Sequence, residues 1–115
     1  MKRGEVYWAE LKPRSHSEQS GRRPVLVISH NGFNDVDSWR SVIVIPFSTS
    51  FKQAVRGPTV VIVPRGVADL PSESVALSHQ ITTLDRSKLK EHIGMLPKSY
   101  LKKIEQAIRA AVDLE

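Results

Sequence analysis

Ser17-Glu18-Gln19-Ser20-Gly21-Arg22-Arg23-Pro24 runs directly into Val25-Leu26-Val27-Ile28-Ser29, and this junction decides how the chain is read. The second half is an apolar, β-branched run, expected as a buried strand over residues 24–29. Pro24 fits there because the first residue of a strand need not donate to the ladder. The first half packs a carboxylate, an amide, a glycine and two guanidinium groups into eight residues. A polar loop anchored on an apolar strand is how a rigid scaffold presents chemistry. Two arginines beside a carboxylate point to an oxyanion, with phosphate the leading candidate. On residue types alone, an exposed Glu18–Arg pair worth roughly 0–1 kcal/mol explains the loop equally well.

Working outward, residues 5–11 read as a first strand, followed by a long polar loop over 12–22. Turn chemistry at 30–35, with Asn31-Gly32, separates the second strand from a third at 41–46. A second polar loop is expected over 47–58, and a fourth strand over 59–63, stopped by Pro64. Shorter extended pieces are expected at 74–77, 80–83 and 92–96. From 99 to 114 the spacing changes: Leu101, Ile104, Ile108, Ala111 and Val112 form a helical stripe. Ser99 is expected to cap that helix, with Lys102 and Glu105 on its wet face. The fold class is therefore mainly β (α+β). It is expected as a small, strongly bent barrel of antiparallel strands, sealed by a C-terminal amphipathic helix.

A chain of 115 residues, 40% apolar and 25% charged, is expected to be one ordinary globular domain spanning 1–115. No apolar run approaches the ~18–20 residues of a membrane span, and Met1-Lys2-Arg3-Gly4-Glu5 carries no apolar signal region. The absence of cysteine excludes disulfides and thiolate metal sites, and suits a reducing cytoplasm. The net charge of +5 is unevenly placed. Residues 1–65 hold ten Lys/Arg against five Asp/Glu, while residues 66–115 hold seven of each. The whole excess lies on the half that carries the opening junction, which points to a polyanionic partner.

Three further groups carry candidate chemistry. Ser48, Thr49 and Ser50 stand where the third strand meets its loop, and a hydroxyl there donates either to a phosphate oxygen or to the turn's own backbone. His79 and Gln80 interrupt an apolar pattern, so Gln80 is either a structural bridge or a nucleotide contact. Trp8, Trp39, Phe33 and Phe47 are stacking candidates, although aromatic residues of a small barrel more often fill its core. His16, His30 and His92 show no metal-ligand spacing and no paired carboxylates suit Mg²⁺, so phosphoryl chemistry is expected to run with no metal and no cofactor.

Taken in order, four stretches resemble the MazF/PemK family of bacterial toxin endoribonucleases. They are Arg3-Gly4-Glu5-Val6-Tyr7; Ser17-Glu18-Gln19 through Arg23-Pro24 to Ser29; Pro46-Phe47-Ser48-Thr49; and Glu73-Ser74-Val75 through Gln80-Ile81-Thr82-Thr83-Leu84-Asp85-Arg86. The closing Ile93-Gly94-Met95-Leu96 and the helix extend the likeness over nearly the whole chain. The resemblance implies an SH3-like barrel shared with the CcdB toxins, a homodimer, and metal-independent, sequence-specific cleavage of single-stranded RNA. The expected products are a 2′,3′-cyclic phosphate and a 5′-hydroxyl. It also implies a cognate antitoxin whose acidic, disordered tail covers the site.

Carried over by position, the resemblance places the key arginine at Arg23, the carboxylate at Glu18 and the family's threonine at Ser48, with Thr49 beside it. Gln19, Arg22, His79, Gln80 and Thr83 become expected RNA contacts. Serine at 48 keeps the hydroxyl but loses the methyl that restricts χ1. His16 replaces a common glycine, and His79 stands where an acidic residue is often found. Arg23 suits stabilisation of a phosphorane, being too basic to serve as a literal acid. Glu18 is the expected base, although a neighbouring arginine lowers its basicity. Two alternatives stand beside the nuclease: a CcdB-like inhibitor of DNA gyrase, and a non-catalytic nucleic-acid-binding module.

Overall fold

The computed structural model describes residues 1–11 and 21–114, the side chains of residues 53–56 excepted. Among these residues seven strands and two α-helices follow in chain order: β1 (Glu5–Leu11), β2 (Gly21–Val27), α1 (Asn31–Asn34), β3 (Ser41–Ser48), β4 (Val60–Val63), β5 (Ser74–Leu77), β6 (Thr82–Asp85), β7 (Leu89–Met95) and α2 (Lys98–Val112). The pairings are antiparallel, in the order β4-β5-β3-β2-β1-β7, with β6 also on β3. The mainly β fold with a C-terminal helix stands as expected. The sheet bends but does not close: β4 and β7 remain its two ends among the described residues.

β3 holds this arrangement together, and its proline shows how. Residues 41–44 pair with β6, whereas Phe47 and Ser48 pair with β5. Pro46, which cannot donate to a ladder, falls between the two pairings while facing Val25 of β2. The expected strand ended at this proline; the observed one continues through Ser48, because the neighbour changes where the missing N–H would have been needed. Ser48 is consequently a strand residue opposite Val75, and nearly fully buried.

Alternation along these strands feeds two cores. Val6, Leu26, Ile45, Phe47, Val63 and Leu70 pack with Ile104 and Ala107 of α2. Ala9, Leu11, Val25, Val42 and Val44 pack on the other face against Tyr7, Leu84 and Leu89. Burying each such aliphatic or aromatic side chain contributes roughly 1.5–3 kcal/mol. The helix differs in detail from the expected stripe: Ala107 is buried, while Val112 is half exposed. Its start also differs. Pro97 occupies the cap position, its carbonyl accepts from the N–H groups of Tyr100 and Leu101, and Ser99 lies inside the first turn with no capping bond. Arg3 ties the helix to the sheet, donating to the Ile28 carbonyl at 3.1 Å and to Glu105 at 2.9 Å.

Two connections are more ordered than turn residues alone suggest. Residues 30–35 contain the helical turn α1, capped by the His30 ring, which accepts from the Gly32 N–H at 2.8 Å. The segment after β4 turns at Gly66, Ala68 and Asp69, all at positive φ. It presses on β7 so closely that a Cβ at Gly94 would lie 2.3 Å from the Ala68 carbonyl oxygen. Only glycine permits that approach.

Candidate active site

The site begins where β2 begins. Gly21, at φ +79°, turns the chain into a strand whose register sets Arg22 opposite Glu10, Arg23 opposite Ala9 and Pro24 opposite Trp8. Arg22 therefore lies diagonally from Trp8 on one face of the β1–β2 pair. Its guanidinium carbon sits 4.4 Å from the indole centroid. Its Nη2 is 3.4 Å from an exposed Glu91 carboxylate, a contact that contributes little.

A cleft of about 200 Å³ opens at this end of the sheet. β1 and β2 contribute Trp8, Arg22, Arg23 and Pro24. The end of β3 contributes Phe47 and Ser48, followed by Thr49. Pro71, Ser72 and Ser74, leading into β5, complete it. Ser48 is buried and its Oγ accepts from the Ser50 N–H at 3.0 Å. This bond leaves the hydroxyl proton of Ser48 available as a donor. Thr49 is exposed beside it. Ser74 Oγ donates to the Ser72 carbonyl at 2.9 Å, which orients the other hydroxyl-bearing segment. The lining thus combines cationic donors, neutral hydroxyl donors and two aromatic rings, the part-exposed Trp8 and the buried Phe47, a set suited to a phosphate with a nucleoside attached.

The expected site residues divide into three groups. Arg22, Arg23, Ser48 and Thr49 come together in the cleft. His79, Gln80 and Thr83 do not line it: His79 and Gln80 form a 3-10 turn after β5, with His79 Nδ1 3.0 Å from Thr59 Oγ1, and Thr83 is exposed on β6. Glu18 and Gln19 lie outside the described residues, as does His16. Ser72 and Ser74 were missed by sequence reasoning. Their signal was faint, two hydroxyls flanking Glu73 at a strand start, and nothing local joined them to β2. Trp8, a stacking candidate by residue type, is part exposed at the cleft, whereas of Trp8, Trp39, Phe33 and Phe47 it is Phe47 that is fully buried. Among the described residues no group of three or more His, Asp or Glu is placed to hold a metal ion.

A second, larger groove of about 640 Å³ lies between β4 and α2, and Lys103 is the single charged residue among those lining it. It lacks the convergent donors found in the smaller cleft.

An open, bent antiparallel sheet with a C-terminal helix, carrying paired arginines and hydroxyls at one end, defines a class that comparison makes specific. Residues 2–112 match the model of the PemK-like, MazF-like toxins of type II toxin–antitoxin systems, and the chain belongs to that family. Endoribonuclease MazF of Staphylococcus saprophyticus is 33% identical over 114 residues, covering 99% of this chain and 92% of the relative. Endoribonuclease MazF6 of Mycobacterium tuberculosis is 32% identical over 114 residues, covering 99% and 98%. Among solved structures, an endoribonuclease in complex with its cognate antitoxin from a mycobacterial species superposes with a TM-score of 0.79. It is 23% identical, covering 100% of this chain and 97% of that one.

Proposed function

We propose that the protein is the toxin of a type II toxin–antitoxin pair and an endoribonuclease that cleaves single-stranded RNA at preferred sequences without a metal ion. The observation that carries this reading is the meeting of Arg22, Arg23, Ser48 and Thr49 around one small cleft. Family membership and the names of the relatives support RNA cleavage over gyrase inhibition.

The chemistry is a transesterification. The ribose 2′-oxygen loses its proton and bonds to phosphorus. The bond from phosphorus to the 5′-oxygen breaks, and that oxygen takes up a proton, leaving a 2′,3′-cyclic phosphate and a 5′-hydroxyl. Arg23 stabilises the charge that develops on the non-bridging oxygens. Ser48 or Thr49 donates to the same phosphate. Glu18 is the proposed base, and Gln19, Arg22, His79, Gln80 and Thr83 are proposed contacts to RNA outside the reacting group. The +5 charge concentrated in the first 65 residues suits both RNA and an acidic antitoxin tail. We place the protein in the cytoplasm as a homodimer; among the described residues no helix is long and apolar enough to cross a membrane.

Incubation of the purified protein with long RNA in excess EDTA, beside the Arg23→Ala variant, tests the reading. Discrete cuts bearing cyclic phosphate ends, lost in the variant, are expected. RNA left intact by the parent protein would overturn it.

A further inference from the structure

We propose that Trp8, with Arg22 stacked on it, is the platform on which a nucleobase rests beside the phosphate held by Arg23. On this view Trp8 is the residue that makes the cleft select unstacked, single-stranded RNA. The inference rests on the reading of the cleft as a ribonuclease site.

Position is the first argument. Ala9 is the cross-strand partner of Arg23, and Trp8 precedes it on β1 facing Pro24. Side chains alternate between faces along a strand, so Trp8 shares its face with Arg22 while Arg23 leaves the other. The two meet only at the end of the sheet, where one cleft of about 200 Å³ is lined by both. Both residues line the same cleft as Ser48 and Thr49. A phosphate seated there must bring its sugar and base along, and the flat apolar surface next to it is this ring.

Burial is the second. Val6 and Ala9, on either side along β1, are fully buried, whereas Trp8 remains part exposed at the cleft. An indole left at a polar cleft, with a guanidinium 4.4 Å above its centroid, is a ready-made stacking surface. Arg22 lowers the ordering cost by holding the ring, and its other contact, to exposed Glu91, is weak enough to yield. Bases within a duplex have their faces covered by neighbours and cannot use such a platform. Unpaired bases can. Because every base has a π-face, stacking here sets affinity and strandedness rather than the word that is read.

The test uses the full chain carrying Trp39→Phe, so that Trp8 is the sole tryptophan. The probes are two mixed-sequence 12-nucleotide pools, 2′-O-methylated against cleavage, one with bases and one abasic. Quenching of Trp8 emission by the base-bearing pool, at least about fivefold stronger than by the abasic pool, is expected. Trp8→Ala should weaken binding of the base-bearing pool about tenfold and raise KM for cleavable RNA with kcat little changed. Trp8→Phe should retain binding within about threefold, which separates stacking from folding. Equal quenching by the two pools, or Trp8→Ala binding as tightly as Trp8→Phe, overturns the platform even when the parent protein cleaves RNA. Failure of the parent to cleave overturns the ribonuclease reading instead.

Discussion

The two ends of the β2–β3 pair use arginine in opposite ways. Where β2 begins and β3 finishes, Arg22 and Arg23 border a cleft together with side-chain hydroxyls and an indole. At the other end Arg86 is turned inward on the backbone. Its Nη2 donates to the carbonyls of Phe33, Asn34 and Val36 at 2.9, 2.8 and 3.0 Å, and its Nε donates to the carbonyl of Trp39. Asp85 supports this end, accepting from the Ser87 N–H at 2.9 Å and from Arg40 at 3.2 Å. The same functional group therefore builds structure where carbonyls converge on it, and at the other end borders a cavity with hydroxyls, the place proposed for the chemistry.

Four substitutions can break or sharpen that contrast. Arg23→Ala should lower kcat for RNA cleavage by about 10²–10³ while leaving the melting temperature close to that of the parent; a comparable loss of stability would make Arg23 a structural arginine after all. Arg86→Ala should do the reverse. It costs about 3 kcal/mol in urea unfolding, because several backbone acceptors lose a charged donor together, while the folded fraction retains its kcat.

Gly94→Ala drives a methyl group into the Ala68 carbonyl and should cost about 2 kcal/mol, measured the same way; an unchanged midpoint would show that the turn at 66–69 yields easily. The smallest effect concerns acid. Hydrogen bonds from Ser87 and then Arg40 lower the Asp85 carboxyl from 3.8 to about 2. A group whose pKa is depressed by folding stabilises above its unfolded value and loses that contribution as pH falls through the folded one. Asp85→Asn should therefore lower the melting temperature slightly at neutral pH and flatten its dependence on pH between about 4 and 2, parent and variant converging at the acid end.

Much of the fold is legible in the sequence. β1 and β5 fall on their expected boundaries, because alternation and flanking turn residues act locally. β3 ran two residues past expectation, since a proline that ends an isolated strand is tolerated where pairing partners change. Ser99 looked like a helix cap, but Pro97 had already begun the turn. In the candidate site, Arg22, Arg23, Ser48 and Thr49 were named from local chemistry and come together in space. Ser72 and Ser74 do not stand out as site residues in the sequence, since they approach only because β5 pairs with the end of β3.

By itself the sequence determined the alternation that makes strands, the basic first half, and the residue types able to hold a phosphate. These depend on near neighbours and on composition. Only the tertiary structure decided that the sheet stays open, that Arg86 serves the backbone while Arg22 and Arg23 border a cleft, and that Trp8 stands at that cleft rather than in the core. Those outcomes depend on which distant strands pair. Register between residues far apart in the chain is set by the packing of the whole molecule.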